Sequence, residues 1–378
     1  MSGREIVARV AAGVAQVEAT DWDPCAGSGD PFLSHAFLSA LEESGSATAR
    51  TGWQPAPLLI DGSDGRLAAV APAYVKSHSQ GEYVFDHAWA DAYARAGGRY
   101  YPKLQIAVPF TPVPGRRLLT REPALAPALI ATAEQVVTNN RLSSAHATFI
   151  APDEVPLFER AGWLIRIDSQ FHWHNDGFGS FDDFLATLAS RKRKAIRKER
   201  AAALDGLEVQ QLSGTEITER HWDAFWIFYQ DTGARKWGRP YLTRDFFSLL
   251  GERMAERLLL VLALHDGVPI AGALNLIGAD TLYGRYWGAT AEVPHLHFEI
   301  CYYQAIDYAI AHGLTRVEAG AQGGHKLSRG YRPVPTYSAH YLADPALRRA
   351  VAQYLDAERR AVIEDIATLD EIGPFRKG

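Results

Sequence analysis

The feature that most constrains this chain is an internal repeat of a three-strand pattern, found at residues 56–89 and again at residues 258–287. Each copy contains an apolar strand, a turn with Asp-Gly, a second strand of small and apolar residues, a polar loop and an aromatic third strand. The Asp-Gly steps mark hairpin turns, because glycine adopts a positive φ without steric cost. Two copies so far apart indicate a duplicated domain and exclude a short-period solenoid.

A pattern of helix and strand follows each hairpin. In the second copy, apolar residues at helical spacing predict a helix over 298–313, and residues 314–320 form the next strand. The first copy has the corresponding helix at 123–140, a strand at 145–150 and a short helix at 153–163. This order predicts an α/β (α+β) fold in which each copy is a mixed, twisted sheet flanked by helices.

Three more helices are expected between the two hairpins. A basic helix over 181–204 contains the block RKRKAIRKER, and helices over 217–237 and 241–254 follow, the last beginning at Thr243. The repeat divides the chain into a first domain, 1–165, and a second domain, 166–378, which includes the basic helix.

The twofold series of helix pair, hairpin, helix, strand and helix resembles the acetyltransferase-like (GNAT) fold in tandem. The segments WGRPYLTRDFF, YWGATAEVPHLHFEICYYQAIDYAI and EAGAQGGHKLSRGYRPVPTYSAH look like those of the FemAB-like N-acyltransferase family. The similarity covers most of the chain, and RKRKAIRKER resembles the basic helix of the wider FemABX aminoacyl transferases. The chain differs from those relatives in having no obvious long coiled-coil insertion.

This resemblance implies an enzyme, an N-acyltransferase that transfers an acyl or aminoacyl group to an amine in a cleft between two GNAT-like domains. The donor it implies is acyl-CoA, and the acceptor is a small-molecule or peptide amine. Two alternatives stay open on the same fold. One is an aminoacyl-tRNA-dependent transferase of the FemABX type, and the other is a non-catalytic protein that binds a small molecule or peptide.

The stretch EAGAQGGHKLSRGYRP, residues 318–333, concentrates polar side chains beside glycines at the end of a predicted strand. Such strand ends are where α/β folds often place ligands. Lysine and arginine suit a phosphate or carboxylate, and a histidine can act as a base near neutral pH. The sequence therefore predicts catalytic roles for Glu318 and His325, and substrate-binding roles for Gln322, Lys326, Arg329 and Tyr331.

Glu299 is a further candidate for a catalytic base. It ends the segment HLHFE, residues 295–299, whose two histidines and glutamate would share one face of an extended segment. HWH at 172–174 repeats the spacing, which leaves a metal hydrolase as another alternative. Nothing in the sequence places the two histidine clusters together, so no metal is expected.

Acyl transfer also requires a bound donor and a bound acceptor. In the GNAT fold that the chain resembles, donor phosphates bind ahead of a helix, where the helix dipole favours anions. Gly115, Arg116 and Arg117 occupy that position in the first copy and are the predicted donor-binding residues. Trp237 and Tyr241, in RKWGRPYL, are predicted to line the acceptor site.

Composition and charge limit the remaining classes. The chain is 47% hydrophobic with a net charge of −5, which supports a large core and sets no overall demand for nucleic acid. Its two cysteines, Cys25 and Cys301, give neither a disulfide framework nor a thiolate metal site. The first residues lack the apolar run of a signal peptide, and no stretch is apolar for long enough to span a membrane. These features predict a soluble, cytoplasmic protein.

Overall fold

The computed structural model describes residues 7–237, 240–320 and 323–376. Along these residues the strands are, in chain order, β1 (Ala8–Val10), β2 (Trp53–Pro55), β3 (Leu58–Asp61), β4 (Leu67–Ala71), β5 (Ala73–Lys76), β6 (Lys103–Ile106), β7 (Leu119–Thr120), β8 (Ser144–Ile150), β9 (Leu164–His174), β10 (Glu208–Ser213), β11 (Leu258–His265), β12 (Val268–Ile277), β13 (Thr281–Ala289), β14 (Arg316–Glu318) and β15 (Arg332–Leu342).

The helices lie singly or in pairs between or after groups of these strands. They are α1 (Ala19–Ala26), α2 (His35–Glu43), α3 (His87–Arg95), α4 (Ala126–Asn139), α5 (Val155–Arg160), α6 (Phe181–Thr187), α7 (Ser190–Ala203), α8 (Glu219–Trp237), α9 (Arg244–Met254), α10 (Leu296–Phe298), α11 (Gln304–Ala311) and α12 (Pro345–Glu371). A π-helical turn, Glu299–Tyr303, joins α10 to α11. The result is the mixed α/β fold that the sequence predicts.

The chain divides into two compact units. Unit 1 consists of Met1–Asp168 and Pro335–Glu364, and unit 2 consists of Ser169–Val334 and Asp365–Gly378. The predicted boundary after residue 165 lies close to the point where the chain first leaves unit 1. The predicted second domain differs from unit 2, because Pro335–Glu364 returns to unit 1 and supplies most of β15 and α12 there.

Unit 1 contains two sheets. One is antiparallel, with the order β1-β3-β4-β7. The other has the order β2-β5-β6-β8-β15, in which β6 and β8 are parallel and the other neighbours are antiparallel. The predicted Asp64-Gly65 turn lies between β3 and β4, and Gly65 has a φ of 74°, a conformation that costs glycine little.

The aromatic third strand predicted near the end of 56–89 is wrong. His87–Arg95 forms α3 instead, because HAWADAYAR is rich in alanine, the residue with the highest helix propensity. The helix buries Trp89 and Ala90 on one side. The third strand of the first copy is β5, which comes earlier in the sequence than predicted.

The five-stranded sheet of unit 1 has two different faces. One face packs Leu104, Ile106, Ala145 and Ala147 into a hydrophobic core with α4. The other face carries polar side chains from the alternate positions of the same strands, and these are buried as well.

Unit 2 contains a mixed sheet with the order β10-β11-β12-β13-β14, followed by the His172–His174 end of β9. β13 and β14 are parallel, and the other neighbours are antiparallel. The turn between β11 and β12 has Asp266 and Gly267 at φ of 50° and 75°, as a two-residue hairpin requires. The π turn and α11 bury Ile300 and Ile306 against the apolar side chains of this sheet.

The predicted helices of unit 2 are present with two differences. Thr243 caps α9 as predicted, because its side chain accepts a hydrogen bond from the Phe246 amide. The basic helix is interrupted between α6 and α7, where Leu188 is extended, fully buried and bridged to Phe375. The extended conformation in which the HLHFE side chains would share one face does not occur, because His295 has a left-handed φ of 65° and α10 begins at the next residue.

In the part of the chain that the structure describes, none of the helices is both long enough and apolar enough to cross a membrane.

Candidate active site

The parallel strands β13 and β14 of unit 2 diverge soon after they pair. Their register covers three pairs, from Thr281–Arg316 to Tyr283–Glu318, whereas β13 continues to Ala289 and stays paired with β12 on its other side. Within the described residues, the ladder between β13 and β14 ends at the pair Tyr283–Glu318. The two strands therefore separate from Gly284 onward.

A cleft of about 560 Å³ lies at the far end of β13. Its volume falls in the range of small-molecule sites. Thr232 of α8 lines one side, and the start of α10 lines another. The remaining lining comes from the end of β13 and the segment that follows it. The full lining is Thr232, Trp287, Ala289, Ala291, Glu292, Val293, Pro294, Leu296 and His297.

A cluster of rings connects this cleft to the loop after β14. The His297 ring lies 5.1 Å from Trp287, 5.3 Å from Tyr302 and 6.1 Å from His325, between ring centroids. His325 is exposed, and its Nε2 lies 2.8 Å from the Tyr302 hydroxyl. Burial raises the pKa of Tyr302, so the phenol stays protonated at neutral pH. The pair therefore places an imidazole and a neutral phenol in hydrogen-bond contact beside the cleft.

Arg329 supports this loop from inside. Its guanidinium donates to both Glu199 carboxylate oxygens at 3.0 Å and to the His325 carbonyl at 2.8 Å. It also lies 3.4 Å above the Phe298 ring, a cation–π contact. Arg329 is buried, so its visible contacts fix the backbone of His325 in position. Its predicted contact with an anionic ligand stays a prediction.

Two other predicted loop residues are buried as well. Lys326 donates from Nζ to the Gly320 carbonyl at 2.7 Å, which ties the two ends of the loop together. Tyr331 is fully buried and packs against Tyr302, with ring centroids 5.5 Å apart. Gln322 lies outside the described residues. Substrate binding by these three residues stays a prediction.

Glu318 ends β14 in a buried ion cluster. Its carboxylate lies 3.3 Å from Arg285 and 3.4 Å from Arg316, and His172 approaches to 3.9 Å. Burial, followed by the nearby Arg316, holds the pKa of His172 well below its usual range, so this imidazole is neutral. The cluster fixes the point where β13 and β14 separate. A catalytic role for Glu318 stays a prediction.

Glu299 is fully buried in the π turn. Its two oxygens accept from the Arg200 guanidinium at 2.9 and 3.1 Å, and one also accepts from Gln304 at 2.7 Å. Arg200 belongs to α7, and it reaches Asp307 at 2.7 Å as well. Glu299 thus joins α7 to the helix beside the cleft, and its role as a base stays a prediction.

The predicted donor-binding residues lie in unit 1. Arg117 is buried, and its guanidinium donates to the carbonyls of Val113, Arg116 and Thr148. The Arg116 guanidinium donates to the carbonyl of Ala26 at 2.6 Å. The amide of Gly115 bonds to the Phe149 carbonyl at 3.0 Å. These contacts all hold the loop onto its own unit, and donor binding by the three residues stays a prediction.

The remaining predicted residues follow α8. Trp237 is the last residue of that helix, and its side chain lies outside the described residues. Tyr241 is half-buried just before the Thr243 cap of α9. The described residues also contain no group of three or more His, Cys, Asp or Glu that could hold a metal ion.

Sequence reasoning missed Trp287 and Tyr302 as site residues. Trp287 appeared only as one aromatic position in a strand, and Tyr302 only as part of a helix. The π turn brings Tyr302 to His325, and neither apolar periodicity nor spacing signals a π turn in advance.

The chain belongs to the FemAB-like family, whose description is peptidoglycan biosynthesis/recognition and whose model matches residues 13–377. No curated protein matches the sequence. Among solved structures, FemX superposes with a TM-score of 0.56 at 13% identity, covering 89% of this chain and 99% of FemX. L-PGS from Bacillus licheniformis superposes with a TM-score of 0.51 at 11% identity, covering 87% and 97%. At these identities the likeness concerns the fold.

Proposed function

We propose that this protein transfers an acyl or aminoacyl group to an amine, and that the reaction takes place in unit 2. The observation that carries the proposal is the divergence of β13 from β14 beside a cleft of about 560 Å³. An extended donor arm would lie along β13 where it separates from β14, and its reactive carbonyl would lie near the ring cluster. Membership of the FemAB-like family supports the reaction class.

The chemistry requires a neutral amine, a carbonyl carbon and a route for one proton. The amine nitrogen attacks the carbonyl carbon, the new C–N bond forms, and the C–S or C–O bond to the donor breaks. His325 would accept the amine proton, because it is exposed and held by its Nε2 contact with Tyr302. The departing thiolate or alkoxide would take a proton from the neutral Tyr302 phenol. His325 would then give a proton back to the Tyr302 oxygen.

For the donor we propose acyl-CoA first and aminoacyl-tRNA as the alternative. The alternative has its own observation, an exposed basic face on α7 formed by Arg191, Lys192, Lys194 and Lys198. A phosphate backbone would bind such a face with a steep dependence on salt. The family description suggests an amine of a peptidoglycan peptide as the acceptor.

A second candidate function is binding without catalysis. Glu299, Lys326 and Arg329 are all engaged in contacts within unit 2, so the charged groups predicted for chemistry are not directed at the cleft. A protein that kept the fold and lost turnover would show such contacts.

Calorimetric binding of acetyl-CoA tests the proposal. The exposed Ala291 lines the cleft, so Ala291→Trp should block it without disturbing the core, whereas Ala94→Trp on the exposed face of α3 should bind as wild type does. Saturable binding that Ala291→Trp alone abolishes supports acyl-CoA in this cleft. If acetyl-CoA fails at millimolar concentration, binding of charged tRNA that Lys194→Glu weakens supports the alternative. Binding of neither donor leaves the non-catalytic function.

Activity tests the proton route once a donor is found. His325→Ala and Tyr302→Phe should each lower kcat by about 10² or more, since general acid–base groups contribute on that scale. The matched control is His312→Ala, an exposed histidine that stacks on Tyr308 of the same unit. Full turnover in the His325 variant would remove this residue from the mechanism.

A further inference from the structure

The buried polar face of the five-stranded sheet in unit 1 plays no part in the proposed transfer. Its members stand opposite one another across the strands, as in the pairs Lys76–Lys103, Gln105–His146 and His146–His340. Side chains paired in this way point to the same side of a sheet. All are buried, and the face consists of Tyr74, Lys76, Lys103, Gln105, Ser144, His146, Thr148 and His340.

Lys76 and Lys103 are a like-charged pair directly opposite each other at one end of this face. Such a pair is unfavourable without counter-charge. The segment Ser77–Asp86 supplies it from above the sheet. Lys103 Nζ donates to Glu82 at 2.7 Å and also to Asp86, and Lys76 Nζ lies 3.8 Å from the second Glu82 oxygen. Two carboxylates on one covering segment thus neutralise two lysines.

A chain of hydrogen bonds leads from these carboxylates across the face. The Tyr100 hydroxyl donates to Asp86 at 2.7 Å and lies 3.2 Å from His146 Nε2. Nδ1 of His146 lies 2.7 Å from Nδ1 of His340. Burial, reinforced by Lys103, lowers the pKa of His146 to about 3, so its ring is neutral. The face therefore presents neutral donors and acceptors beside the two cations.

Several buried polar atoms here have no hydrogen-bond partner. In the described part of the chain they include the Tyr74 hydroxyl, Glu82 Oε1, Asp86 Oδ1, Gln105 Oε1 and His340 Nε2. Buried polar atoms without partners lower stability, and a face that only needed covering would be apolar. Three of these atoms lie on the sheet face and two on the segment that covers it, so both sides of this buried layer are suited to contact something polar.

We propose that this face is a binding site for a ligand with two carboxylate groups, closed by the segment Ser77–Asp86. Glu82 and Asp86 occupy Lys76 and Lys103 as the two carboxylates of the ligand would. The ligand binds when the segment lifts, exchanges its carboxylates for these two, and offers acceptors to the Tyr74 hydroxyl and donors to Gln105 Oε1. The site lies wholly in unit 1 and does not depend on the transfer proposed for unit 2.

Calorimetry with glutarate tests the site. The double variant Glu82→Gln/Asp86→Asn keeps the shape of both side chains and removes the internal counter-charge, so glutarate should bind about tenfold more tightly than to wild type. Adding Lys103→Met should abolish the gain. The matched control, Glu122→Gln at an exposed glutamate of the same unit, should bind as wild type does.

Two results would overturn the proposal. One is the absence of glutarate binding at millimolar concentration to the double variant when circular dichroism shows it folded. The other is tighter binding of inorganic phosphate than of glutarate, which would contradict the carboxylate class. If the double variant does not fold, hydrogen exchange on the wild-type protein decides. Saturating glutarate should accelerate exchange of the amides of Ser77–Asp86, and unchanged exchange would refute the displacement.

Discussion

Among single residues, Arg329 is the one whose replacement is expected mainly to lower the stability of the fold. Its guanidinium is the buried partner of Glu199 and covers Phe298. Arg329→Ala should lower the free energy of unfolding by about 3 kcal/mol, because removing one partner leaves the other charge without compensation. Urea denaturation measures the change. A loss of transfer activity in this variant would therefore have two explanations, lower stability or weaker binding. Replacing the exposed His325 tests the site without this ambiguity.

The control for Arg329 is an arginine whose ion pair is exposed. Arg197 reaches Asp182 at 2.7 Å, but more than half of each side chain is in solvent. Arg197→Ala should therefore change the free energy of unfolding by less than about 1 kcal/mol. Equal stabilities for the Arg329 and Arg197 variants would contradict the supporting role of Arg329.

The buried His146 is expected to make the free energy of unfolding depend on pH. Burial lowers its pKa to about 3 in the folded protein, well below the ordinary value of about 6.5 that applies in the unfolded chain. As the pH falls below about 6.5, the unfolded chain binds this proton first, so the stability that neutral His146 contributes is lost progressively toward pH 3. His146→Asn should reduce the slope of unfolding free energy between pH 4 and 5.5 by about 1.3 kcal/mol per pH unit, because there the unfolded imidazole is almost fully protonated and the folded one is almost fully neutral.

Urea denaturation at several pH values in that window measures the slope. The matched control is His265→Gln, a substitution at an exposed histidine. An unchanged slope in the His146 variant would mean that His146 does not carry the pH dependence assigned to it.

The sequence drew attention to some candidate site residues and passed over others for a physical reason. Charged or reactive side chains beside glycines, such as those of His325 and Arg329, stand out in the amino-acid sequence alone. The buried face around Lys76 and Lys103 does not, because alternating polar and apolar residues ordinarily indicate a strand with one side in water. Only the folded chain shows that α3 and the segment before it cover the polar side.

At the scale of elements, periodicity predicted what depends on apolar spacing and turn residues. The helices at 123–140 and 217–237 and both Asp-Gly hairpins are present. The break between α6 and α7 was missed, because it depends on Leu188 meeting Phe375, far away in sequence. The helix α12 was missed because no motif drew attention to it.

The close contact between α8 and β13 is expected to make the protein sensitive to substitution of Gly288. A Cβ on Gly288 would lie 1.9 Å from the Phe228 carbonyl oxygen, so the backbone of α8 passes directly over this glycine. Gly288→Ala should lower the free energy of unfolding by about 3 kcal/mol, because one of the two elements must shift. The cleft should also change, since Thr232 of α8 and Trp287 both line it.

A glycine in open surroundings is the control for Gly288. A Cβ on the exposed Gly179 would meet its nearest neighbour, Asp183 Oδ2, at 3.5 Å, an ordinary contact. Gly179→Ala should change stability by less than about 0.5 kcal/mol. A Gly288 variant as stable as this one, by urea denaturation, would show that α8 does not approach β13 so closely.

At the scale of the whole molecule, duplication is visible in the sequence and the path of the chain is not. Two repeated hairpins predicted two consecutive domains, because each copy reads as complete by itself. The structure gives unit 1 a late segment, Pro335–Glu364, whose β15 pairs with β8 and whose α12 buries Leu347, Val351 and Leu355. No local pattern in that segment predicts which of the two copies it packs with.

Because unit 1 is built from two separate segments of the chain, its first segment is not expected to fold cooperatively by itself. A fragment of residues 1–165 lacks the strand beside β8 and the apolar residues of α12 that pack with Trp89 and Tyr100. It should therefore lose cooperative unfolding in urea. Residues 1–168 joined by a Gly/Ser linker to 335–364 restore both contacts and should unfold cooperatively. The same fusion with Leu347, Val351 and Leu355 changed to serine is the matched control and should behave as the short fragment does. Cooperative unfolding of 1–165 alone would show that the late segment is dispensable for unit 1.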